Sequence, residues 1–138
     1  MFAHLLLHSE YSLLESSIKI KDLVSTASNL RMKAVALTDK YVMSGAVEFY
    51  KEAKAMNLKP VIGCEICLAR SGRLSHLTLL VKDQTGYENL CEIVSMSYLR
   101  LINTRKIADK AQVEVPIVEM PELRNNSKGI ICLSGCSK

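Results

Sequence analysis

Apolar positions along the 138 residues alternate between helical spacings of three and four and short unbroken runs. Between Ile18 and Leu30, the residues Ile20, Leu23, Val24, Ala27 and Leu30 fall on one helical face. Ala34 to Asp39 is a short apolar run ending in polar residues, as in a buried parallel strand reaching a functional rim. Ser44 precedes Gly45 to Met56, which reads as a helix capped by the serine, with Ala46, Phe49, Tyr50 and Ala53 inward and Asn57 closing it. Pro60 to Ala69 predicts a strand whose proline sits at the start, where no ladder donor is lost. Ser71-Gly72-Arg73 is a turn, and His76 to Val81 a further strand. Thr85 to Leu101 predicts a helix with Tyr87, Leu90, Ile93, Val94 and Tyr98 at helical intervals. From Asn103 to Ser127 the pattern weakens: Val113, Val115 and Ile117 alternate like a strand, while Pro116 and Pro121 interrupt any regular element. Gly129 to Cys136 is a last short buried strand.

The opening, His4-Leu5-Leu6-Leu7-His8, predicts a first strand with His4, Leu6 and His8 on one face. Strands separated by helices form a βαβ series, hence an α/β fold with mainly parallel strands and right-handed crossovers. There are no repeats or low-complexity segments, and residues 1–138 read as a single domain.

Composition narrows the classes. With 49% hydrophobic residues the chain can build a modest core, and no apolar run approaches the roughly 18 residues of a membrane span. Met1-Phe2-Ala3-His4 lacks the basic-then-apolar pattern of a secretion signal, so a cytoplasmic location is expected. The five cysteines are an odd set. Cys64, Cys67, Cys91, Cys132 and Cys136 therefore read as reduced thiols packed in strands and helices. Cys64-x-x-Cys67 has the spacing of a redox or zinc pair, but residues three apart in a strand face opposite sides and cannot chelate together. A net charge of +4, from 18 basic and 14 acidic residues scattered along the chain, falls short of the clustered stripe of a self-sufficient DNA binder. The absence of tryptophan removes one stacking platform for single strands. No glycine-rich phosphate loop or nucleophile motif is present.

His4-Leu5-Leu6-Leu7-His8-Ser9-Glu10-Tyr11-Ser12-Leu13-Leu14-Glu15-Ser16 resembles the opening of the PHP (polymerase and histidinol phosphatase) domain of bacterial DNA polymerase III alpha subunits. Family members there read roughly His-Leu-His-Val-His-Ser-Glu-Tyr-Ser-Leu-Leu-Asp-Gly. The likeness continues through Leu37-Thr38-Asp39, where the family has Thr-Asp-His-Gly and this chain has Lys40-Tyr41 after the aspartate. It runs on through Gly45-Ala46-Val47-Glu48-Phe49-Tyr50-Lys51, Lys59-Pro60-Val61-Ile62-Gly63-Cys64-Glu65, His76-Leu77-Thr78-Leu79-Leu80, Gly86-Tyr87-Glu88-Asn89-Leu90 and Leu133-Ser134-Gly135-Cys136. Several motifs in the same order make the resemblance specific.

The resemblance implies part of a PHP-type (β/α) barrel, without the palm, thumb and fingers of the polymerase. In metal-binding members the positions matching His8, Glu15, Glu65, His76 and Cys136 line a cluster of divalent ions used for phosphoester hydrolysis. The positions matching Leu6 and Lys40 are histidine in such members. Leucine removes a donor, and an ammonium about 4 Å from a cation costs on the order of 4 kcal/mol. The expectation is thus an incomplete site that holds zinc, manganese or magnesium weakly if at all. His8, Glu65 and His76 are then strand-end groups satisfied by hydrogen bonds, and Lys40 pairs with Glu65, Glu15 or Asp39. The implied role is a structural and partner-binding part of the polymerase subunit in DNA replication, with proofreading proteins as partners and DNA met through the parent protein. The alternative is a stand-alone metal-dependent phosphoesterase of the same superfamily. A barrel that stops after Cys136 leaves an apolar edge, so self-association of the isolated chain is expected.

Overall fold

The computed structural model describes residues 2–71, 73–107 and 115–137, without the side chains of 103–107, 136 and 137. The chain forms two compact units, Met1–Cys64 and Glu65–Lys138.

In the first unit, helix α1 (Ile20–Asn29) buries Ile20, Leu23, Val24 and Ala27, the stripe that the spacing predicts. Leu30 lies past the helix end and is exposed rather than inward. Strand β1 (Ala34–Leu37) runs parallel to the start of strand β2 (Lys59–Arg70), Ala34 opposite Lys59 and Leu37 opposite Ile62. Helix α2 (Ala46–Ala55) buries Ala46, Phe49 and Ala53. These faces enclose a core of Ile20, Val24, Val35, Leu37, Phe49 and Leu58, where a fully buried aromatic such as Phe49 contributes about 2–3 kcal/mol by transfer from water.

Both helices end in the same motif. The Arg31 and Met32 amides donate to the carbonyls of Ser28 and Ala27, and the Asn57 and Leu58 amides to those of Lys54 and Ala53. These are Schellman ends, with Arg31 (φ 53°) and Asn57 (φ 56°) in the left-handed region. Asn57 closes α2 as expected. The start of α2 differs from expectation: Gly45, not Ser44, occupies the N-cap, and no side chain caps it. A Cβ at Gly45 would lie 2.8 Å from Tyr11 Cδ2 and 2.9 Å from Ile20 Cδ1, so close approach decides that position over capping. Tyr50, expected inward, is exposed and carries the Lys54 amine over its ring at 5.7 Å.

The opening segment is not the regular strand that its pattern predicts. It does run beside β1: Ala36 N donates to His4 O and Thr38 N to Leu7 O. Three residues on one side thus match two on the other. The Thr38 hydroxyl fills the mismatch, accepting from Leu7 N (2.9 Å) and donating to Leu7 O (3.1 Å). A side chain standing in for a backbone group breaks the ladder and with it the simple alternation of faces.

In the second unit, the end of β2 runs parallel to strand β4 (Ile117–Glu119), Cys67 opposite Ile117. Strand β3 (Arg73–Val81) neighbours β2 and pairs antiparallel with strand β5 (Ile130–Ser137). The α/β class holds, but β3 departs from the βαβ expectation: it follows β2 after only Ser71 and Gly72, too short for the crossover that a parallel neighbour needs, and it pairs antiparallel with β5. Helix α3 (Gln84–Ile107) extends past the expected Leu101 and buries Leu90, Ile93 and Leu101. Pro121 does not interrupt structure. It falls in the first turn of helix α4 (Met120–Asn125), where its missing N–H has no intrahelical partner to lose, and Glu119 and Glu122 close a capping box around it. Arg100 of α3 clamps this junction, reaching Glu119 at 2.7 Å and Glu122 at 2.5 Å. Val113 lies outside the described residues.

Candidate functional site

In the first unit, polar residues converge just beyond the end of β1. Asp39 is 2% exposed, and its carboxylate accepts the Ser9 amide (2.6 Å), the Ser9 hydroxyl (2.7 Å) and the Ser12 hydroxyl (2.7 Å). A buried carboxylate is tolerable only with such charge-assisted donors. Ser12 Oγ in turn accepts the Lys40 amide at 2.9 Å. The network therefore fixes the turn from Ser9 to Ser16 against the segment after β1.

That turn presents Glu15 to Lys40. The Lys40 amine is ion-paired with the Glu15 carboxylate and lies 5.6 Å from the centre of the Tyr41 ring, a cation–π contact. Leu14 (φ 64°), beside Glu15, and Tyr41 (φ 67°), beside Lys40, both have left-handed backbone. For residues with a Cβ this conformation costs about 1–2 kcal/mol each. Tyr41 stands where the family motif has glycine, so the chain bears strain there and gains a ring beneath the ammonium. Tyr11 donates to Glu48 Oε2 at 3.1 Å. That hydrogen bond and the carboxylate's charge raise the phenol above its ordinary value near 10. His8 is half-buried and its carbonyl accepts the Ser16 hydroxyl at 2.8 Å, whereas Leu6 is 55% exposed.

In the second unit, the buried Glu65 of β2 lies 2.9 Å, Oε1 to Nδ1, from His76 of β3. Opposite His76, the β3–β5 register slips: Leu77 faces Ser134 but Ser75 faces Ser137, two residues against three. This β-bulge places Gly135 against His76, where a Cβ would come 2.0 Å from the His76 carbonyl oxygen. Glycine at that point is a steric requirement. The side chain of Cys136 lies outside the described residues. Cys64 and Cys67 are buried thiols of β2, as expected, whereas Cys132 is exposed on β5 rather than packed.

Of the partners expected for Lys40, the structure gives Glu15. The pairing of Glu65 with His76 was not expected, and the two residues lie inside β2 and β3 rather than at the strand ends. The Ser9, Ser12 and Asp39 network was not anticipated as part of the site. Its signal was a strand-end aspartate together with two serines spaced as in a turn, a pattern too common to single out alone. A divalent ion does not fit the first-unit residues: Leu6 offers no donor, and Lys40 puts an ammonium beside Glu15. Among the described residues, no three of His, Cys, Asp and Glu gather as a ligand set.

The α/β fold has solved counterparts. A candidate metal-dependent phosphoesterase from Bifidobacterium adolescentis superposes with TM-score 0.58 at 19% identity, over 91% of this chain and 43% of that one. An amidohydrolase from Chromobacterium violaceum, solved with sulfate and no metal, gives 0.56 at 21%, over 75% and 35%. At those identities the likeness is one of fold. The sequence defines the family: residues 4–138 match the PHP domain, and the chain belongs to that family. Its relatives include the DNA polymerase III alpha subunits of Borreliella burgdorferi, 39% identical over 98% of this chain and 12% of the relative. That of Thermus aquaticus is 38% identical over 98% and 11%. The chain thus spans about a tenth of the length of these relatives. No described helix is long and apolar enough to cross a membrane.

Proposed function

We propose that the chain is the opening region of a DNA polymerase III alpha subunit and acts there as an architectural piece in the cytoplasm. It supports the polymerase parts of the subunit, offers a surface to proofreading partners, meets DNA through the parent protein and hydrolyses no phosphoester itself. The observation that carries this reading is the Lys40–Glu15 ion pair. It puts a cation at a position that the metal-binding branch gives to histidine, and ties up one of the remaining family ligand positions. Zinc, manganese or magnesium then binds weakly at most. In isolation the chain self-associates along β5, which among the described residues pairs with β3 and leaves Ile131 48% exposed.

Primer extension by the full-length protein tests the role. Replacing Glu65 and His76 together by glutamine, which keeps hydrogen-bonding groups but removes metal-ligand chemistry, leaves the extension rate within about twofold. Asp39→Ala, which removes the clasp on the opening segment, lowers the thermal midpoint and the extension rate together. Loss of extension in the Glu65/His76 variant with an unchanged midpoint contradicts the architectural reading.

A further inference from the structure

We propose that the surface at the start of β1 and β2 is a contact site for the phosphate backbone of nucleic acid. This goes beyond the architectural role. Parallel pairing of β1 and β2 brings two loops to one end of the first unit, opposite the end that holds Asp39. Lys59 is paired with Ala34, and the Lys59 amide donates to the Lys33 carbonyl at 3.0 Å. Arg31 precedes Lys33 by two residues, and Lys54 sits in the last turn of α2, its carbonyl accepting the Asn57 amide.

Arg31, Lys33, Lys54 and Lys59 are all exposed. Neither Val24–Thr38 nor Ala53–Cys64, the stretches that carry them, contains a carboxylate. Among the described residues none of the four is in an ion pair. Folding thus gathers cations from a scattered sequence into a rim at this end of the first unit, with Glu52, two residues before Lys54 in α2, the neighbouring carboxylate on that helix.

Arg31 adds an independent observation. It occupies the left-handed closing position of α1, which favours glycine or asparagine, and asparagine takes the equivalent place at the end of α2. Keeping arginine there costs conformational energy and retains a planar donor fork suited to phosphate. On α2, Lys54 lies over the exposed Tyr50 ring.

The test is fluorescence anisotropy of a labelled mixed-sequence DNA duplex with the full-length protein, from about 50 to 200 mM salt. The variant Arg31→Gln, Lys33→Gln, Lys54→Gln, Lys59→Gln is compared with a charge-matched one, Lys19→Gln, Lys21→Gln, Lys82→Gln, Lys128→Gln, whose four lysines are also exposed. The rim variant binds about tenfold or more weakly at the low-salt end, and its slope of log affinity against log salt falls by about 2–3. The matched variant keeps the wild-type slope, and circular dichroism is the same for all three. Equal losses in both variants, or no loss in the rim variant, overturn the proposal. So does competition by polyglutamate that removes the DNA at equal charge concentration, which assigns the rim to an acidic protein instead.

Discussion

At the scale of single residues, Asp39 matters more to stability than the ion pair beside it. Glu15 is 46% exposed, so water screens its attraction to Lys40, and Glu15→Gln costs less than about 1 kcal/mol. Asp39 is buried and satisfies three donors at once. Asp39→Ala leaves the Ser9 amide and two hydroxyls without their acceptor in a closed site, a loss on the order of 3 kcal/mol. Urea unfolding measures both, and a loss for Glu15→Gln equal to that for Asp39→Ala would reverse the ranking. Sequence made the Lys40 pairing legible because a lysine at a family ligand position needs a carboxylate nearby. It did not distinguish Glu15 from Glu65 or Asp39, because that choice depends on the Ser9–Ser16 turn, which long-range bonds to Asp39 set.

At the scale of elements, periodicity located helices well and their ends less so. The inward stripe of α1 was readable because Ile20, Leu23, Val24 and Ala27 obey one period. Leu30 obeys it too, but it is the C-cap residue, past the end of α1 and just before the chain turns left-handed at Arg31. That turn offers a direct check. Arg31→Gly removes the Cβ clash of left-handed backbone, offset in part by glycine's extra freedom when unfolded, for a net gain of up to about 1 kcal/mol. Thermal unfolding that shows destabilisation instead would mean that the arginine side chain holds the end of α1. The opening segment failed as a predicted strand for a reason that no local pattern carries: the Thr38 hydroxyl intrudes into its ladder. The bulge at Gly135 was equally hidden, since it exists only in the pairing with His76.

At the scale of the molecule, family motifs in order along the chain revealed the α/β class and the PHP family. They did not reveal the division into two units, because β2 passes through the boundary between Cys64 and Glu65 without a composition change. The proposed role rests most heavily on the expectation that the family metal site is disabled at Leu6 and Lys40. Calorimetric titration with zinc and with manganese, on the protein and on its Leu6→His, Lys40→His variant, tests this directly. The account predicts no tight stoichiometric binding to the protein, and a clear gain in affinity when both histidines are supplied. Tight one-to-one or higher binding by the unsubstituted protein, with metal-dependent hydrolysis of a phosphoester, would contradict it.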